Sequence, residues 1–161
     1  FKYTNFRKQM EAVRKTLLKQ EQIATWPPLM LQAVDDAYAA LLRRYQRIEP
    51  ADMATLHRVR IAFKKFRHMV EIVHTLIPNF PEANFKYMHE YQGMMGDIQD
   101  KEILISTFED FAEGDTLYDP EPVLHFYLQQ RIEVINAFVE DMHQINTFWR
   151  PTPELPFPWE A

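Results

Sequence analysis

The chain of 161 residues has 47% hydrophobic and 14% aromatic residues, which is typical of one folded domain and unlike a disordered segment. Three glycines and no cysteine argue against glycine-rich nucleotide loops and exclude disulfides and cysteine-based zinc sites, and the absence of thiols fits a cytoplasmic protein. No apolar run reaches the roughly 20 residues of a membrane span, and the formal net charge of −5 argues against general nucleic-acid binding.

Apolar residues recur at helical spacing almost everywhere, and this pattern predicts six helical segments. In chain order the segments cover about residues 4–22, 28–48, 50–77 or 52–77, 81–94, 97–112 and 120–149. Prolines separate the first three segments, Gly93 and Gly96 are expected to end the fourth, and Asp97 is expected to cap the fifth. Short connections favour antiparallel neighbours, so the predicted fold is all-α, an antiparallel up-down helical bundle of about six helices.

The proline content changes near the end of the chain. We assign residues 1–150 to a single helical-bundle domain, which is either complete or one half of a longer domain. Residues 151–161 form a proline-rich tail, in which Phe157 and Trp159 are expected to pack against the bundle or to mediate a contact.

Cations concentrate on the third segment, where residues 56–71, "LHRVRIAFKKFRHMVE", hold five Arg or Lys and two His against one Glu. A helical wheel places the apolar residues of this segment on one face and a stripe of cations beside it. Four residues of this stripe, here called the cationic ridge, are spaced by three and four positions: His57, Arg60, Lys64 and Arg67. His68 lies on the same side, whereas Arg58 and Lys65 lie apart from it.

Like charges at this spacing repel one another, so the helix gains nothing from the ridge alone. A bound anion with several charges would reverse the sign of the effect. A chain of phosphates suits the ridge best, because arginine grips phosphate oxygens in pairs and lysine supplies a compact charge. The alternative is a solvated stripe, or one that is neutralised by acids such as Asp97, Asp100 and Glu102.

Other cations have more ordinary interpretations. Arg43, Arg44 and Arg47 end the second segment, where the helix dipole favours positive charge, and Arg44 and Arg47 are secondary candidates for ligand binding. Arg131 falls within the apolar stripe of the last segment, which predicts an acidic or anionic partner for it.

Two other classes of function stay open. Glu-x-x-His occurs as Glu71/His74 and Glu140/His143, and paired motifs of this kind hold two metal ions in some helical bundles. The second alternative is a plain protein-interaction module that uses the proline-rich tail and aromatic surface residues.

Two stretches, "LHRVRIAFKKFRHMVEIV" and "YMHEYQGMMGDIQDKEIL", resemble the CHAD family, the conserved-histidine α-helical domains. The second stretch is similar to the family element L-Q-x-x-L-G-D-x-x-D, with Met95 in place of leucine, and His68 stands where the family usually has tyrosine. The resemblance implies a helical bundle that binds inorganic polyphosphate without catalysis, with no cofactor or metal. By position it implies His57, Arg60, Lys64 and Arg67 as ligand-binding residues.

The resemblance also bears on partners. The usual family domain has two related helical halves, and this chain resembles the C-terminal half. Either the first half is missing from this chain, or two copies pair as a homodimer to replace it. We expect polyphosphate as the partner, and neither a membrane nor a specific nucleic acid.

Overall fold

The computed structural model describes residues 26–114 and 119–160, and this part of the chain contains helices and no strand. Its four α-helices are α1 (Trp26–Tyr45), α2 (Met53–Val73), α3 (Ala83–Gly114) and α4 (Glu121–Asp141). They pack antiparallel, α1 on α2, α2 on α3 and α3 on α4. The first predicted segment, residues 4–22, lies outside the described residues. None of the described helices is both long and apolar enough to cross a membrane.

The predicted fourth and fifth segments form one continuous helix, α3, so the predicted count of about six helices is wrong. Gly93 and Gly96 do not end a helix, and Asp97 does not cap one. Each glycine costs a helix interior about 1 kcal/mol relative to alanine. That cost is smaller than the gain from the buried stripe that runs through both predicted segments, because each fully buried side chain contributes about 1.5–3 kcal/mol. The stripe consists of Met88, Tyr91, Met95, Ile98 and Ile105.

Other helix ends also differ from the prediction. The last segment, expected over 120–149, ends as an α-helix at Asp141 and continues as a 3₁₀ helix, Met142–Thr147. Two buried phenols bind carbonyls of this turn: Tyr38 donates to Ile145 O at 2.8 Å, and Tyr91 donates to Met142 O at 2.9 Å. Burial raises the pKa of both phenols above the ordinary range, so they stay neutral donors.

The apolar face of α2 is buried as its periodicity predicts. Its buried hydrophobic residues are Leu56, Val59, Phe63, Phe66, Val70 and Val73. The ring of Phe63 lies 4.9 Å from that of Tyr91 on α3, and the ring of Phe66 lies 5.0 Å from that of Tyr38 on α1. These contacts fix the rotation of α2 about its axis, and they therefore determine where the cationic ridge faces.

The C-terminal segment packs against α1. Asp35 accepts hydrogen bonds from Trp149 Nε1 at 2.7 Å and from two nitrogens of Arg150, at 3.0 Å and 2.6 Å. The hydrogen bond to Asp35 raises the pKa of Arg150, with burial acting in the opposite sense. Phe157 is buried and stacks on Trp159, so the predicted packing of these two aromatic residues is confirmed.

Candidate functional site

The cationic ridge lies along the seam between α2 and α3. At one end, Nδ1 of His57 donates to Oε1 of Gln99. At the other end, Nη1 of Arg67 donates to Nδ1 of His89 at 3.1 Å. Gln99 and His89 both belong to α3, so α3 contributes directly to the environment of the ridge. His57 is exposed, and Arg60, Lys64 and Arg67 are half-buried.

The side chain of Arg67 is largely buried, with 13% of its surface exposed. Its Nε lies 3.3 Å from Oε1 of Glu71 but is not aligned for a hydrogen bond. The other oxygen of Glu71 accepts from Nδ1 of His68 at 2.8 Å. This carboxylate is therefore shared between Arg67 and His68 at the end of the ridge, and it restrains the side chain of Arg67.

Arg60 occupies the middle of the ridge. Its Nε is buried, and it has no hydrogen-bond partner within the described residues. Oε1 of Gln92, on the facing helix α3, is also buried and also has no hydrogen-bond partner within the described residues. A buried polar atom without a partner costs about 1–3 kcal/mol. The site therefore contains hydrogen-bonding capacity that the fold itself does not use.

The structure does not bring the secondary candidates to the ridge. Arg44 is exposed at the end of α1, and its Nη1 donates to the carbonyl of Ala40 on the same helix at 2.8 Å. Arg47 is exposed in the turn that follows. Among the described contacts, none joins Arg44 or Arg47 to the ridge. Their arrangement is that of ordinary helix-end cations.

The predicted acidic partner of Arg131 is confirmed. Nη1 of Arg131 donates to Oε2 of Glu102 at 2.6 Å, which joins α4 to α3. Glu102 was one of the acids that could have neutralised the ridge. Its carboxylate is instead paired with a cation of α4.

The two Glu-x-x-His motifs do not meet. Nδ1 of His74 bonds the backbone carbonyl of Glu71 at 2.9 Å, and Nδ1 of His143 bonds that of Glu140 at 3.0 Å. The carboxylate of Glu71 is paired with Arg67 of the ridge, and Glu140 is exposed on α4. Over residues 26–114 and 119–160, no group of three or more His, Asp or Glu side chains is placed to hold a metal ion.

The sequence prediction did not include the α3 residues of this candidate site, His89, Gln92 and Gln99. The signal was a polar stripe at spacings of three and four beside the apolar stripe of α3. Splitting this helix at Gly93 and Gly96 divided the stripe between two segments and hid it.

A second surface stands out on the hairpin formed by the end of α3 and the start of α4. Phe111 is 68% exposed, and Phe126 is 58% exposed. A cavity of about 540 Å³ lies between the two helices. We call the apolar residues that line it the hairpin surface: Ile103, Leu104, Phe108, Phe111, Val123 and Tyr127.

Comparison with protein families gives one match. The family model for the CHAD domain matches residues 2–109, which is more than half of the chain and includes the ridge and its α3 partners. Comparison with curated proteins and with solved structures finds no match.

Proposed function

Because the chain belongs to the CHAD family, we propose that its cationic ridge binds inorganic polyphosphate, or a related phosphate polyanion, without catalysis. Polyphosphate binding is the known role of this family. One observation carries the assignment to the ridge: cations at regular spacing line the α2–α3 seam, where α3 holds His57 and Arg67 through neutral side chains. Arg44 and Arg47 remain secondary candidates at the end of α1.

The length of the ridge favours an extended anion over a single phosphate. Ten residues of helix separate His57 from Arg67, which corresponds to about 15 Å at 1.5 Å per residue. A single phosphate reaches only one or two of these side chains, whereas a chain of phosphates reaches all four at once. Affinity should therefore rise with the length of the polyphosphate until the ridge is covered.

A titration with polyphosphates of several lengths, at two salt concentrations, tests this function. If three cations contact phosphates, affinity should fall about 20-fold between about 50 and 200 mM salt, by analogy with single-stranded nucleic acids. Binding that is unaffected by salt contradicts a charge-based site. Binding that is lost on addition of a chelator instead favours the metal-dependent alternative.

We also propose a homodimer that forms through the hairpin surface. The family resemblance implies two helical halves, and a second copy of this chain would supply the other. Exposed apolar side chains line this cavity on both helices, and they offer a contact surface for a second copy. Pairing of two antiparallel hairpins about a two-fold axis would bury both patches in a four-helix arrangement.

Phe111→Glu is expected to convert the dimer to a monomer, because it places a charge at the most exposed side chain of the hairpin surface. Tyr87→Glu is the control, since Tyr87 is also exposed on α3 but lies near the opposite end of that helix. Sedimentation velocity should show a dimer for the wild type and for Tyr87→Glu. A monomeric wild-type chain would rule out this partner.

A further inference from the structure

The two hydrogen bonds between the ridge and α3 define a register. The step of ten residues from His57 to Arg67 on α2 is matched by a step of ten residues from Gln99 to His89 on α3, in the opposite direction. Antiparallel helices that keep this register place Gly96 opposite Arg60. They also place Gln92 opposite Lys64. The α3 positions 89, 92, 96 and 99 thus repeat the spacing of the ridge.

Gly96 leaves open space at this position of the seam. Apart from its chain neighbours and the backbone of its own helix, a Cβ atom added to Gly96 would meet no heavy atom within 4 Å. The unpaired atoms Nε of Arg60 and Oε1 of Gln92 belong to the same stretch of the seam. Beyond the pair formed by His57 and Gln99, the seam widens into a cavity of about 240 Å³ that residues of both helices line.

We propose that the phosphate chain lies within the α2–α3 seam and contacts both helices. It would occupy the open space between Gly96 on α3 and Arg60 on α2. This inference rests on the proposed function and adds the position of the ligand. The ridge supplies the positive charge from α2. Gln92 supplies an amide that can rotate to present its N–H₂ group to phosphate oxygens. Gln99 and His89 act as positioning residues, because they hold His57 and Arg67.

The competing arrangement places the anion on the solvent side of α2, away from α3. Both arrangements use the ridge, so removal of its cations does not distinguish them. Changes on α3 do distinguish them, because only a ligand in the seam meets the side chain at position 96 or 92.

Gly96→Leu tests the seam by filling its space. Gly93→Leu is the matched control, because Gly93 also has open space around its Cβ position, is exposed, and lies on the same helix. Both changes replace glycine with a stronger helix former, so both variants should melt at or above the wild-type temperature. For one long polyphosphate, Gly96→Leu should weaken binding at least about tenfold, and Gly93→Leu should change it less than about twofold.

A second pair of variants tests the seam without changing its volume. Gln92→Glu adds a carboxylate opposite Lys64, and Gln129→Glu adds the same charge at an exposed position on α4. Gln92→Glu should weaken polyphosphate binding about tenfold more than Gln129→Glu, because like charges facing each other disfavour the complex.

The outcomes separate this inference from the proposed function. Wild-type affinity in both Gly96→Leu and Gln92→Glu would contradict binding within the seam and would place the anion on the outer side of α2. The proposed function would then still hold. A wild-type chain that binds no polyphosphate would instead overturn the function itself.

Discussion

Replacing Arg60, Lys64 and Arg67 together with alanine is expected to abolish polyphosphate binding while leaving the helical fold intact. Each hydrogen bond to a charged group contributes about 1.5–3 kcal/mol, so the loss of three should lower affinity by about 10³-fold or more. The fold should persist because the apolar face of α2 is unchanged, although loss of the aliphatic stems should lower the Tm slightly. Isothermal titration gives the affinity, and circular dichroism gives the helix content and Tm.

A second triple variant provides the control for net charge. Arg43, Arg58 and Lys65 are exposed cations of α1 and α2 that lie outside the ridge. Their replacement with alanine changes the net charge by the same amount, and it should change the affinity less than about threefold because exposed charges are screened by salt. Equal losses in both triple variants would assign binding to the general charge. Unchanged affinity in the ridge variant would refute the site.

The prediction from sequence succeeded where the signal was local to one helix. Apolar residues of α2 recur with a period near 3.6 and form one face of the helix. Burial of this face is the strongest constraint on the orientation of α2 about its axis. Once Phe63 and Phe66 face inward, the positions of Arg60 and Lys64 beside them follow from helix geometry. The family could also be recognised from residues of α2 and α3 alone, and the match over residues 2–109 confirms it.

The prediction failed where packing between distant residues overrides local preference. Gly93 and Gly96 favour a helix end, but Tyr91 and Met95 beside them are buried, and α3 continues. For the same reason, the sequence did not indicate that His89, Gln92 and Gln99 of α3 lie on one helix beside the ridge. The partner of Asp35 is 115 residues away along the chain, and no periodicity within a single helix indicates such a pair.

Asp35→Ala is expected to lower the free energy of unfolding by about 3–5 kcal/mol, because it removes one partner of a buried ion pair. The side chain of Asp35 is 6% exposed and that of Arg150 is 17% exposed, so water cannot fully replace the lost contact. The indole N–H of Trp149 would also lose its acceptor inside the core. Urea denaturation, followed by circular dichroism, measures this change.

Asp36→Ala is the matched control for Asp35→Ala. Asp36 directly follows Asp35 in α1 but is exposed, and its carboxylate accepts a hydrogen bond from Gln32 on the same helix at 3.0 Å. Its replacement should therefore cost less than about 0.5–1 kcal/mol. The double variant with Arg150→Leu should recover part of the loss from Asp35→Ala, because it removes the guanidinium that would otherwise stay unpaired. If Asp35→Ala costs no more than Asp36→Ala, the C-terminal segment is held on α1 by its aromatic packing and not by the ion pair.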